Sequence, residues 1–147
     1  MSDQINLVIG AKPWRPSSDS EEVEVYAQYD MPIAGVVSQA GCYFLFECVE
    51  GAVTSFSLWV YAPVTDREEA HLSTLTDDKL SESMNEIWAS RDVTVAIAVK
   101  DTIATGGTLR RPAIERHGFL QAVLEGVHDL LSRDRDIVEA LEIPQAS

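Results

Sequence analysis

IAGVVSQAGCYFLFECV, residues 33–49, is the stretch that decides the fold. Two apolar runs, IAGVV (33–37) and CYFLFECV (42–49), flank SQAG, a four-residue turn signal, and so predict an antiparallel hairpin. The second run is apolar on both faces of its pleat, as in a central strand covered on at least one side. Downstream, AVTSFSLWVYA (52–62) follows across Glu50-Gly51, which reads as a two-residue turn. That register sets Cys42 opposite Trp59, Tyr43 opposite Leu58 and Leu45 opposite Phe56. Upstream, Val23, Val25, Ala27, Tyr29 and Met31 alternate with Glu22, Glu24, Tyr26, Gln28 and Asp30. Such alternation marks a strand with one buried and one wet face, and Pro32 ends it. Residues 22–62 therefore predict a four-stranded antiparallel meander.

Around this meander the periodicity changes. Ile5, Leu7 and Ile9 suggest a strand near 5–10, and VTVAIAV (93–99) a buried one. KPWRPSSDSEE (12–22) reads as a loop, flexible over 12–21, with Trp14 tucked onto the core. Thr65-Asp66-Arg67-Glu68 is a capping box opening a short helix to about Leu72. Thr76, with Asp77 and Asp78, opens a second helix, whose stripe is Leu80, Met84, Ile87 and Trp88. A third stripe runs through Leu120, Val123, Leu124, Val127, Leu130 and Leu131, and the tail 143–147 should fray. The expected fold is α+β over a single domain, 1–147. Its sheet is mainly antiparallel, the meander 22–62 plus strands near 5–10 and 93–99, with helices packed on one face.

Composition narrows the function. The 147 residues carry a net charge of -13, which disfavours nucleic acid and anionic membranes, because both need a basic face. It favours a basic protein partner. There is no signal-peptide pattern and no long apolar run, so the expected location is cytoplasmic. Cys42 and Cys48, if on one strand, lie about 20 Å apart, too far for a disulfide, and they read as small buried residues. His117 and His128 would sit about 16 Å apart along one helix. With His71 they form no metal-ligating pattern, so neither a metal nor a cofactor is expected. Glu47, within the apolar central strand, is expected at the sheet margin opposite Thr54; a buried Glu there would be a functional candidate.

AVKDTIATGGTLRRP (98–112) bears on enzymatic activity. A buried strand, an acidic residue and Thr-Gly-Gly-Thr resemble the signature of type I phosphoribosyltransferases. The resemblance implies that Asp101 holds ribose hydroxyls and that Ala104 to Thr108 cradle a 5′-phosphate. Lys100 stands where that family has its first acid. Leu109 to Pro112 replace a directly following helix, and the likeness spans about 15 residues. The family also needs a parallel sheet, which the meander does not supply. From Lys100 to His117 four basic residues (Lys100, Arg110, Arg111, Arg116) face two acids (Asp101, Glu115), a basic patch on an acidic chain. Thr105, Gly106, Gly107, Thr108, Arg110 and Arg111 are thus candidate anion-binding residues, and no catalytic residue is assigned. The expectation is a non-enzymatic protein that binds a protein partner or self-associates. A homodimer would use the aromatic-rich sheet face (Tyr26, Tyr29, Tyr43, Phe44, Phe46, Phe56, Trp59, Tyr61). The alternative is a phosphoribosyltransferase-like enzyme, or a phosphate or nucleotide binder, using the 101–108 loop.

Overall fold

The computed structural model describes residues 5–28, 31–50, 56–99 and 101–110. They form a six-stranded antiparallel sheet whose spatial order is the chain order. The strands are β1 (Glu21–Gln28), β2 (Pro32–Gln39), β3 (Cys42–Glu50), β4 (Phe56–Val64), β5 (Val93–Val99) and β6 (Thr102–Leu109). Between β4 and β5 lie helices α1 (Asp66–Leu72) and α2 (Asp77–Ser90). The expected meander thus extends by two strands. The third helical stripe and the tail lie outside the described residues.

The β2–β3 hairpin forms where the sequence places it, but its turn is tighter. Ser38 and Gln39 belong to β2, and only Ala40 and Gly41 turn, with φ of 53° and 81°. Positive φ at both central residues matches the right-handed twist of the flanking strands. The β3–β4 register differs from expectation: Tyr43 faces Val64, Phe46 faces Tyr61 and Cys48 faces Trp59. The strands have slid by six residues. An even slide keeps every side chain on its own face, so the apolar pattern alone does not register it.

Alternate residues feed two cores. One holds Val36, Leu45, Val60, Val95 and Ile97 with Leu72 of α1 and Met84, Ile87 and Trp88 of α2. The other holds Val37, Phe44, Phe46, Trp59, Tyr61 and Ile103 with Ile5. A central strand that is apolar on both faces must be covered on both. The capping box forms as its sequence predicts: Glu68 N donates to Thr65 Oγ1 and Thr65 N to Glu68 Oε1, each at 3.0 Å.

Residues 5–10 are not a strand. Their backbone groups bond singly: Asn6 N donates to Gln39 Oε1, Val8 N to the Pro16 carbonyl, and Gly10 N to the Ile103 carbonyl. Instead, residues 5–20 run against the second core. Trp14 lies 6.0 Å from the Trp59 ring, and the Tyr61 hydroxyl donates to the Pro13 carbonyl at 2.7 Å. Gln39 Nε2 donates to the Asn6 carbonyl at 2.9 Å and to the Ser17 hydroxyl at 2.7 Å, with Ser20 Oγ 3.2 Å away, all on buried or part-buried atoms.

The clean alternation read in 23–31 is broken in β1. Register shifts fall at Glu22/Glu24, Val25/Ala27 and Ala27/Gln28. Val23 is exposed, while the hydroxyl of half-buried Tyr26 is buried. A bulge inserts an unpaired residue and resets the pleat. β1 also runs very close over Gly35, where an added Cβ would sit 2.2 Å from the Glu24 carbonyl oxygen. Gly35→Ala should therefore push β1 from β2 and cost about 1–3 kcal/mol, read as a lower midpoint in urea denaturation.

Candidate binding edge at strand β6

The TGGT segment is a strand and not a loop. β5 is antiparallel to both neighbours, and β6 returns along it with Thr94 opposite Thr108, Val95 opposite Gly107 and Ala96 opposite Gly106. The β-branched Thr102, Ile103, Thr105 and Thr108 suit a pleat. Gly106 serves close packing: a Cβ there would lie 2.6 Å from Leu7 Cδ1 and 3.0 Å from the Val95 carbonyl oxygen. The glycine therefore lets the N-terminal segment settle on the sheet.

Thr105–Thr108 line one side of a hollow of about 310 Å³, with Thr94, Ile5, Leu7 and Ile9 on the others. Four of the six candidate anion-binding residues are thus brought together. Arg110 does not line the hollow. Its side chain is 75% exposed and lies 3.6 Å from Asp92, a loose surface pair of little energetic weight. Arg111 lies outside the described residues. Among the described residues the hollow therefore offers hydroxyls and aliphatic carbon without a charged lining residue.

The two ends of the sheet differ. β1 carries Glu21, Glu22 and Glu24 together with its three register shifts. Charges and bulges are the usual protection of an edge against strand addition. β6 has no charged residue from Thr102 to Leu109, and Gly106 and Thr108 are exposed. On its outer side Ile103 N donates to the Ala11 carbonyl and the Ile103 carbonyl accepts from Gly10 N, each at 2.8 Å. Ile9, 66% exposed, stands at the same hollow.

Glu47 lies away from the margin. It faces Ala34 and Val60, is half-buried, and accepts a hydrogen bond from Trp88 Nε1 at 3.1 Å. Burial raises its pKa, partly offset by the indole N–H. The sequence missed this because the slid register placed it against Thr54. Burial also raises the pKa of the Tyr26 phenol, whose hydroxyl has no hydrogen-bond partner among the described residues. Cys42 and Cys48 are both half-buried. Among the described residues no group of three or more His, Cys, Asp or Glu could hold a metal ion, and no helix is long and apolar enough to cross a membrane.

Compared with protein-family models, with curated proteins and with solved structures, the chain finds no match.

A raised folded-state pKa means that the charged carboxylate destabilises the fold, a penalty absent at low pH and present once pH exceeds the folded value. Glu47→Gln keeps an acceptor for Trp88 without the charge. It should raise the melting temperature by about 1–4 °C at pH 8 and leave it unchanged near pH 4. Circular dichroism melts at the two pH values give the comparison.

Proposed function

We propose that the protein is a non-enzymatic binding protein that takes an extended segment of a protein partner as an added strand along β6. The observation that carries this reading is the contrast between the two ends of the sheet, one charged and bulged, the other uncharged, with Gly106 and Thr108 exposed beyond the pairing of Ile103 with residues 10–11. Strand addition draws affinity from main-chain hydrogen bonds and specificity from pockets for alternate side chains. The 310 Å³ hollow beside Thr105–Thr108 is such a pocket, and its uncharged lining suits an apolar side chain. The net charge of -13 favours basic residues flanking that segment. In this reading the helices form a layer on one sheet face and leave the β6 edge to the partner, within the cytoplasm. The large aromatics Phe44, Phe46, Trp59 and Tyr61 are all buried within the chain, so the edge is a better contact surface than the sheet face.

The grouping of Thr105, Gly106, Gly107 and Thr108 also supports a second reading, a phosphate or phosphoribosyl site, with Arg110 and Arg111 following in the sequence. A melting curve with phosphoribosyl pyrophosphate and Mg²⁺ tests it: a rise would favour that reading over strand addition.

The peptide Lys-Thr-Val-Thr-Val-Thr-Lys is a suitable probe of strand addition. Titrated into the full chain, it should slow amide hydrogen exchange within 105–109. Thr108→Lys, at an exposed position, should weaken binding about tenfold with little change in melting temperature. Protection confined to other strands would overturn the reading. A dimer in light scattering that the peptide does not disperse would replace it with self-association.

A further inference from the structure

Where β3 begins and β4 ends, the sheet meets the start of α1 and the end of α2. An open cleft of about 860 Å³ lies there, a volume typical of small-molecule sites. It shares no lining residue with the hollow at β6. Cys42, Tyr43, Pro63 and Val64, all buried or half-buried, give it an apolar wall. Among the described residues its charged lining is Asp66, Arg67, Glu68 and Arg91.

Two of these four charges are committed to each other. Arg91 donates to both Glu68 carboxylate oxygens, at 2.9 and 2.8 Å, and to the Pro63 carbonyl at 2.8 Å. This fork geometry fixes both side chains, and the hydrogen bonds from Arg91 hold the Glu68 carboxyl below the usual range. Asp66 and Arg67 are exposed, and among the described residues neither makes an ion pair or a side-chain hydrogen bond. The cleft therefore presents one uncommitted anion and one uncommitted cation beside an apolar wall.

That combination selects a ligand class. A simple carboxylate would gain Arg67 but meet the like charge of Asp66, and a simple amine would do the reverse. A zwitterion with an apolar body meets all three features. We propose that the cleft binds a free α-amino acid with an aromatic or aliphatic side chain. Its carboxylate pairs with Arg67, its ammonium with Asp66, and its side chain packs on Tyr43, Pro63 and Val64. The committed Glu68–Arg91 pair forms a fixed wall and does not compete for either charge.

Calorimetric titration of the full chain with L-phenylalanine, L-leucine, 3-phenylpropanoate and 2-phenylethylamine tests this. At least one amino acid should bind with a Kd of about 1 mM or tighter. Phenylpropanoate and phenylethylamine, each lacking one charge, should bind at least about tenfold more weakly than phenylalanine. Occupancy should slow alkylation of Cys42 by iodoacetamide, read by mass spectrometry of the Cys42 peptide. Arg67→Gln and Asp66→Asn should each weaken amino-acid binding about tenfold while the melting temperature holds. The proposal is overturned if neither amino acid binds at about 10 mM or if phenylpropanoate binds as well as phenylalanine. It is equally overturned if binding leaves Cys42 alkylation unchanged.

Discussion

The constraint on which the structure depends is that its central strands have no polar face. Leu45, Val60 and Val95 point into one core, and Phe44, Phe46, Trp59 and Tyr61 into the other. Either set left in water would forfeit roughly 1.5–3 kcal/mol per large side chain. Each side must therefore be closed by chain that is not part of the sheet. On the first side the buried cluster includes Leu72 of α1 and Met84, Ile87 and Trp88 of α2, and the Trp88 indole finds a polar partner in Glu47. On the second side an irregular segment does the work, held by Trp14 against Trp59 and by the Gln39 side chain. Irregular backbone on an apolar surface needs its own hydrogen bonds. This accounts for the buried Ser17, Ser20 and Gln39 beneath a stretch whose sequence looks like loop.

Much of this was legible in the sequence, and the failures have physical causes. Thr65 and Glu68 announce a helix start because the capping box is a local interaction. Met84, Ile87 and Trp88 announce its buried stripe because 3.6-residue spacing is local too. The β3–β4 register was not legible: a slide of six residues preserves which face each side chain occupies, and only non-local packing selects among such slides. Residues 5–10 misled in a similar way. Alternating Ile5, Leu7 and Ile9 look like a strand, but Asn6 and Gly10 bond to separate partners on opposite parts of the sheet.

The geometry of the candidate surfaces was legible in part. Thr105 to Thr108 do gather at one hollow, yet as a strand edge, because β-branched residues on either side of Gly106-Gly107 favour a pleat. Of the glycines that suggested a phosphate cradle, Gly106 answers a packing demand from Leu7, a residue about a hundred positions away in sequence that no local pattern connects to it. The cleft beside α1 left no sequence signal. Glu68 belongs to a visible capping box, but its partner Arg91 stands at the far end of α2. Asp66 and Arg67 become distinctive only because that pairing leaves them out.

Strand order equal to chain order has a kinetic consequence. Each hairpin of this sheet can form next to the one before it, and only α1 and α2 separate β4 from β5. The mean sequence distance between paired strands is therefore short, which favours rapid folding for a β-rich chain. The N-terminal segment is different. Its anchors reach across 33 residues to Gln39 and 48 to Tyr61, so they reward closure only after the sheet exists to receive them. Although residues 5–20 precede the sheet in the chain, their long-range contacts with it become favourable only once the sheet is in place.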